Sequence, residues 1–139
     1  MKRYMSLDIG DRTIGIAVSD LLGLTAQGVE TIHRKSLEED LKRLGELMKE
    51  YETHSLVPGL PKNMDGTEGP RAELCRAFAE ELRQATGLPV AMWDERRTTV
   101  EAHNILSAHN YHGRKRKNTV DAVAASLILE GYLAFRKKG

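Results

Sequence analysis

The sequence is poor in cysteine and in aromatic residues, and its charges nearly cancel. The single cysteine, Cys75, excludes an internal disulfide and a cysteine-based metal cage, so a reducing compartment is the simplest setting. The 21 basic and 20 acidic residues leave a net charge of +1, so bulk charge gives no argument for a polyanionic partner. Trp93 and Phe78 are too few and too separated to form a base-stacking platform.

Long hydrophobic runs are also missing. No stretch approaches the length of a membrane span, and Asp8 and Asp11 interrupt the apolar N-terminal run, so we expect no signal peptide. We therefore expect a cytoplasmic protein with no membrane partner. With 139 residues and 40% apolar content, residues 1–139 are predicted to form one domain with its own core.

The hydrophobic pattern alternates between strand and helix spacing. The predicted elements are strands at 4–9, 13–18 and 26–32, a helix after the N-cap Ser36, a strand at 55–60, a helix from Pro70 to Gly87, a strand at 89–93, a helix from Thr98 to about Asn110, and a helix from about Thr119 to Phe135. An antiparallel three-strand meander followed by alternating helices and strands predicts an α/β fold. Its five-stranded mixed sheet carries helices on its faces, as in a ribonuclease H-like fold.

Carboxylates stand at or near the ends of several predicted elements. Asp8 lies within an apolar strand, where an unpaired buried charge would cost several kcal/mol. Asp94 and Glu95 end another strand, and Asp121 lies in the first turns of the last helix. If the sheet brings these elements together, the oxygen ligands suit Mg²⁺ or Mn²⁺. Two such ions would activate a water and stabilise the leaving oxygen in an attack on a phosphodiester.

Two questions about these acidic residues stay open. Strand alternation sends Asp94 and Glu95 to opposite faces, so only one of them is expected to point into a shared site, and Glu95 is preferred. The alternative interpretation is structural. Asp8 would then cap the turn at Gly10, and Asp121 would serve the dipole of its helix.

A basic run precedes the last helix. It consists of Arg114, Lys115, Arg116 and Lys117. Beside an acidic site, this predicted loop would grip a phosphate backbone without reading sequence, although such runs are also common on solvated loops. Further substrate-binding side chains are expected on loops at the carboxyl-end rim of the sheet: Lys62, Asn63, Arg96 and Arg97.

Four ordered segments resemble the YqgF family, whose members are described as Holliday-junction resolvases and as pre-16S rRNA nucleases. They are LDIGDRTIGIAVSD at 7–20, GLPKNMDGTEGP at 59–70, WDERRTTVEA at 93–102 and VDAVAASLILEGYL at 120–133. The resemblance implies a ribonuclease H-like, metal-dependent nuclease whose acidic residues are Asp8, Asp94 or Glu95, and Asp121. It also suggests that the loop at 59–66 and Arg96 line the substrate side.

Three positions depart from the family pattern. Pro58 stands where an apolar strand residue is expected, so its strand is predicted to lose a ladder hydrogen bond. Asp11 adds an acid to the first hairpin turn, where it could join or repel the metal site. Ala124, one helical turn beyond Asp121, lacks the fourth carboxylate of the related resolvases, which weakens the case for junction resolution in particular.

These observations favour an Mg²⁺-dependent endonuclease that processes the 5′ end of pre-16S rRNA, with cleavage of branched DNA junctions as the alternative. A homodimer would suit a two-fold symmetric junction, although no feature of the sequence establishes one. A non-catalytic RNA-binding ribosome-assembly factor is the rival of another class. An ATP phosphotransferase of the actin and sugar-kinase type shares the hairpin at Asp8. It needs a second lobe, for which 139 residues are expected to leave no room unless the chain dimerises.

Overall fold

The computed structural model describes residues 3–94 and 113–138, including the side chains of residues 120–136 in the last helix. The strands are β1 (Arg3–Ile9), β2 (Thr13–Ser19), β3 (Ala26–His33), β4 (Thr53–Leu60) and β5 (Trp93–Asp94), and the helices are α1 (Leu37–Glu50), α2 (Pro70–Thr86) and α3 (Gly113–Lys138). The sheet order is β3-β2-β1-β4-β5. Strand β1 is antiparallel to β2 and parallel to β4, so the predicted mixed sheet is confirmed.

One face of the sheet is covered by a large apolar core. Met5, Leu7 and Ile9 alternate along β1 and point to this face, where they pack with residues of α1 and α2. Helix α1 begins after Ser36, whose hydroxyl accepts a hydrogen bond from the Glu39 backbone N–H at 3.1 Å. The amphipathic helix predicted behind Ser36 is therefore confirmed.

Helix α3 covers the opposite face and runs antiparallel to β1. The Ser6 hydroxyl donates to the carbonyl of Ala125 at 2.5 Å. At the far end, the guanidinium of Arg136 lies 4.8 Å from the centroid of the Tyr4 ring. Tyr4, Ser6 and Asp8 are alternate residues of β1, so Asp8 shares the α3 face rather than the apolar core.

Two predicted boundaries near the C-terminal part were wrong. Helix α3 begins at Gly113 instead of Thr119, so the backbone of the basic run at 114–117 is helical rather than a loop. Strand β5 begins at Trp93 instead of Pro89, with an isolated parallel bridge between Leu56 and Val90 before it. The helix predicted from Thr98 to Asn110 lies outside the described residues.

Pro58 interrupts the hydrogen bonding of β4 on its β5 side. Leu56 donates its N–H to Pro89 and accepts from Ala91, both at 2.9 Å, so the hydrogen-bonding groups of Leu56 face the β5 side. Alternate residues of a parallel ladder face the same neighbour, which directs the backbone of Pro58 to β5 as well. Because proline has no N–H, one ladder bond is lost there, as the sequence predicted.

No helix in the described parts of the chain combines the length and apolar character that a bilayer crossing requires.

Candidate active site

A cleft of about 350 Å³ opens at the carboxyl end of β1, between the β1–β2 turn and α3. Its lining is mostly charged or polar and consists of Asp8, Gly10, Asp11, Arg12, Thr13, Arg71 and Asp121. Two of the predicted site residues, Asp8 and Asp121, are therefore on one surface although 113 positions separate them in the sequence. Carboxylate oxygens are the ligands that Mg²⁺ and Mn²⁺ favour.

A glycine brings the two aspartates together. Gly15 is the β2 residue paired with Asp8, and a Cβ added to Gly15 would lie 2.1 Å from the backbone oxygen of Asp121. The absence of a side chain therefore lets the α3 backbone rest directly on the sheet beside Asp8. Gly28 makes the same close approach one strand further on, where an added Cβ would lie 2.9 Å from the carbonyl oxygen of Ala122.

Thr13 fixes the orientation of Asp121. Its hydroxyl donates to Oδ2 of Asp121 at 2.7 Å, and the Thr13 residue is only 8% exposed. The hydrogen bond from this buried hydroxyl holds the Asp121 carboxylate in one orientation at the cleft.

Asp8 on β1, Asp11 in the turn and Asp121 on α3 all line the cleft, but no three side chains among the described residues are arranged to hold one metal ion. Trp93 packs against α3, with its ring 5.5 Å from that of Phe135. Strand alternation then directs Asp94 to the other face of the sheet, away from Asp8 and Asp121. Glu95 lies outside the described residues.

The turn that carries Gly10 is held from the α1 side. The Gly10 N–H donates to Thr13 at 2.8 Å, and Nη1 of Arg34 donates to the Gly10 carbonyl at 2.8 Å. The Nε of Arg34 also binds Asp40 at 3.1 Å, and Asp40 is only 3% exposed. This network fixes one wall of the cleft, because a buried charge-assisted contact has little freedom to move.

Asp11 has a partner on α2. Its Oδ2 lies 3.3 Å from Nη1 of Arg71, and the side chain of Asp11 is 73% exposed. Asp11, the acid that the sequence adds to the first hairpin turn, is therefore ion-paired with Arg71.

Lys62 and Asn63 lie in the loop that follows β4, and neither lines the cleft. The Asn63 amide donates to Thr67 Oγ1 at 3.0 Å, so it serves the loop itself. In the same region, two hydrogen bonds from Arg76 hold the pKa of Glu68 below its usual range. Arg96 and Arg97 lie outside the described residues, as do the side chains of Arg114, Lys115, Arg116 and Lys117.

Sequence reasoning missed Thr13, Arg12 and Arg71 as residues of the cleft. No local pattern identifies the Thr13 contact, since its partner is 108 residues away. Gly15 did carry a usable signal, because a glycine inside a strand often marks the close approach of another backbone.

The RuvX family model, described as Holliday junction resolvase, matches residues 2–135. The chain belongs to this family. A protein of Halothermothrix orenii named "Putative pre-16S rRNA nuclease" is 51% identical over 136 residues, which cover 98% of this chain and 97% of the relative. A protein of the same name from Heliobacterium modesticaldum is 53% identical over 131 residues, covering 94% of this chain and 88% of the relative. The resemblance drawn from the four motifs is thus confirmed.

Solved structures of resolvases share the RuvX chain's fold. The structure of T. thermophilus RuvC in complex with a Holliday junction substrate has a TM-score of 0.63 at 12% identity, covering 99% of this chain and 97% of that one. The yeast mitochondrial Holliday junction resolvase Ydc2 has a TM-score of 0.61 at 8% identity, covering 99% and 80%. The predicted ribonuclease H-like fold is confirmed.

Proposed function

We propose that this RuvX protein is a divalent-metal-dependent endonuclease that cleaves phosphodiester bonds in the 5′ leader of pre-16S rRNA. The observation that carries the proposal is the meeting of Asp8 and Asp121 in one cleft. The substrate follows the names of relatives that are about half identical over nearly the full chain. Such processing would take place in the cytoplasm, and one domain spanning residues 1–139 would contain the whole site.

Asp8, Glu95 and Asp121 would hold one or two Mg²⁺ or Mn²⁺ ions. Hard oxygen donors from Asp8 and Asp121 fit such ions. Glu95 is the third proposed ligand. Asp94, its substitute in the sequence-based prediction, is the weaker candidate because strand alternation from Trp93 directs it to the other face of the sheet. When bound, the metal supplies an activated water and neutralises charge on the leaving oxygen.

The protein's own residues would fix the geometry of the site. Thr13 holds Asp121 through its hydrogen bond, and Gly15 sets the distance between α3 and β1. Because these contacts form within the folded protein, the carboxylates are positioned before a ligand binds, which lowers the reorganisation needed for catalysis.

The cationic residues would bind the phosphate backbone. The basic residues Arg114, Lys115, Arg116 and Lys117 lie in the first turns of α3, on the same helix as Asp121. Together with Lys62, Asn63, Arg96 and Arg97 they would position the nucleic acid at the carboxyl-end rim. Alanine at all four basic positions is expected to flatten the salt dependence of binding, by roughly 0.7–0.9 in log–log slope for each lost phosphate contact.

Cleavage of branched DNA is a second candidate, favoured by the description of the matching family model. Position 124, one helical turn beyond Asp121, is a fully buried alanine, so the fourth carboxylate of the related resolvases is missing there, which argues against junction cleavage. A non-catalytic RNA-binding assembly factor is the third candidate, and it would bind RNA with no metal-dependent turnover.

One experiment separates these candidates. Purified protein is incubated with a pre-16S rRNA leader or a four-way DNA junction, in Mg²⁺, Mn²⁺ or EDTA, beside the Asp8→Asn variant. We expect metal-dependent cutting of the RNA leader that is lost in the variant. Cutting of the junction alone would support the resolvase, and tight RNA binding without cutting in any metal would support the assembly factor. Full cleavage by Asp8→Asn would overturn the assignment of the site.

A further inference from the structure

Arg71 connects α2 to the cleft that contains the aspartates. It is the second residue of α2, and it lines the cleft together with Asp8 and Asp121. Its Nη2 lies 3.4 Å from the carbonyl oxygen of Ile9, the residue that follows Asp8. The guanidinium is therefore held at the end of β1, beside the candidate metal ligands.

The ion pair between Arg71 and Asp11 is easily displaced. The side chains are 55% and 73% exposed, and the Nη1–Oδ2 distance is 3.3 Å. Exposed pairs of this kind are screened by water and salt and contribute little to stability. A ligand with a stronger negative charge can therefore replace Asp11 on Arg71 at little cost.

A guanidinium is well suited to such a ligand. It presents five N–H donors in a planar fork that matches two phosphate oxygens, and the two contacts described here leave donors free for a ligand. Arg12 lines the same cleft and adds a second cation. No other arginine or lysine is part of this cleft's described lining.

We propose that Arg71, assisted by Arg12, binds a backbone phosphate of the nucleic acid, and that Asp11 is the resting partner which this phosphate displaces. The inference rests on the proposed function, because it identifies how the same cleft holds its substrate. Such a contact positions the chain without reading base sequence. It also gives Asp11 a role as a competitor for Arg71 rather than as a metal ligand.

The first test compares Arg71→Ala with Arg83→Ala. Arg83 lies further along α2, is 59% exposed and pairs with Glu80, so its removal changes the net charge equally at a site outside the cleft. Binding of the RNA leader and of the four-way junction is titrated at several salt concentrations, with Ca²⁺ in place of Mg²⁺ and the probe checked for cleavage. We expect Arg71→Ala to reduce the log–log salt slope by roughly 0.7–0.9, and Arg83→Ala to leave it unchanged.

The second test uses Asp11→Asn. Removing the competing carboxylate is expected to tighten binding by about two- to five-fold, and this gain should shrink when Arg71 is also alanine. Arg71→Lys serves as the variant that keeps the charge, and it should retain the salt slope while binding more weakly than the wild type. Thermal melts of all variants report whether they are folded.

The outcomes distinguish this inference from the proposed function. Equal slopes for Arg71→Ala and Arg83→Ala, or an equal gain from Asp11→Asn in both backgrounds, would overturn the phosphate site even if metal-dependent cleavage is intact. Different slopes without cleavage in any metal would support the phosphate site and overturn the nuclease.

Discussion

The two faces of the sheet use opposite kinds of residue. The face toward α1 and α2 is filled with large apolar side chains such as Leu7 and Ile16, whereas the face toward α3 offers Ser6, Gly15 and Gly28. On the first face, packing of side chains supplies stability. On the second, small residues let a helix backbone lie against the strands, which fixes where Asp121 stands relative to Asp8. The comparison indicates that stability and positioning of the site are carried by separate surfaces of one sheet.

The largest expected effect is a difference in stability loss between Leu7 and Asp8, neighbouring residues whose side chains lie on opposite faces of the sheet. Leu7 is fully buried, so Leu7→Ala should lower the free energy of unfolding by about 2–5 kcal/mol. Asp8→Asn nearly keeps the shape of the side chain, so it should change the free energy of unfolding by less than about 1 kcal/mol. Urea unfolding measures both variants. Equal losses at the two positions would contradict the division between the faces.

Adding a methyl group should test the closeness of α3. Gly15→Ala places a Cβ 2.1 Å from a backbone oxygen of Asp121, so α3 must shift, at a cost of about 1–3 kcal/mol. Because the shift moves Asp121, Mn²⁺ binding followed by electron paramagnetic resonance should weaken too.

Gly45→Ala is the matched control for that substitution. A Cβ at Gly45 in α1 meets no atom within 4 Å, and alanine is the better helix former by about 1 kcal/mol, so this variant should be more stable and bind Mn²⁺ normally. Similar stability changes of the two alanine variants would show that α3 does not rest on Gly15.

Loss of the Thr13 hydroxyl should affect the metal site. Thr13→Val removes the donor to Asp121 and should weaken Mn²⁺ binding by about tenfold, the lower end of the range for partners of metal ligands. Thr13→Ser keeps the hydroxyl and should largely restore the affinity. Equal Mn²⁺ affinities for the valine and serine variants would remove Thr13 from the site.

The smallest effect is expected outside both faces, in the β2–β3 connection. Hydrogen bonds from the N–H groups of Leu24 and Thr25 lower the pKa of Asp20. Since the folded-state pKa is depressed, the stabilisation is present above the ordinary aspartate pKa of about 3.9 and is lost as the pH falls through the lower folded value. Asp20→Asn should therefore have a lower urea midpoint than the wild type at pH 6. This difference should shrink near pH 3. A pH-independent difference would contradict this account.

Much of the fold could be predicted because its signals are local. Alternating apolar residues and the Ser36 cap located β1, β2 and α1, and the carboxylates Asp8 and Asp121 stood out against apolar surroundings. The start of α3 was missed because a glycine followed by four like charges resembles a loop, although arginine and lysine are good helix formers.

The remaining features of the site depend on contacts that the linear sequence does not carry. The pair of Arg71 and Asp11 spans 60 residues, and the bond from Thr13 to Asp121 spans 108. Neither pair has a spacing rule, since their approach is decided by the order of strands in the sheet and by the packing of helices against it. The glycines inside strands, Gly15 and Gly28, are the sequence features that could have indicated a close approach of the α3 backbone.

The hydrogen bond between Thr13 and Asp121 can form only after both residues have been synthesised. Ribosomes add about 5–20 residues per second, so roughly 5–20 s pass between the synthesis of its two partners. Until α3 has been synthesised and has packed against the sheet, the sheet face that carries Asp8, Gly15 and Gly28 stays uncovered. The cleft therefore assembles late in the synthesis of the chain, only after α3 has been made and has packed against the sheet.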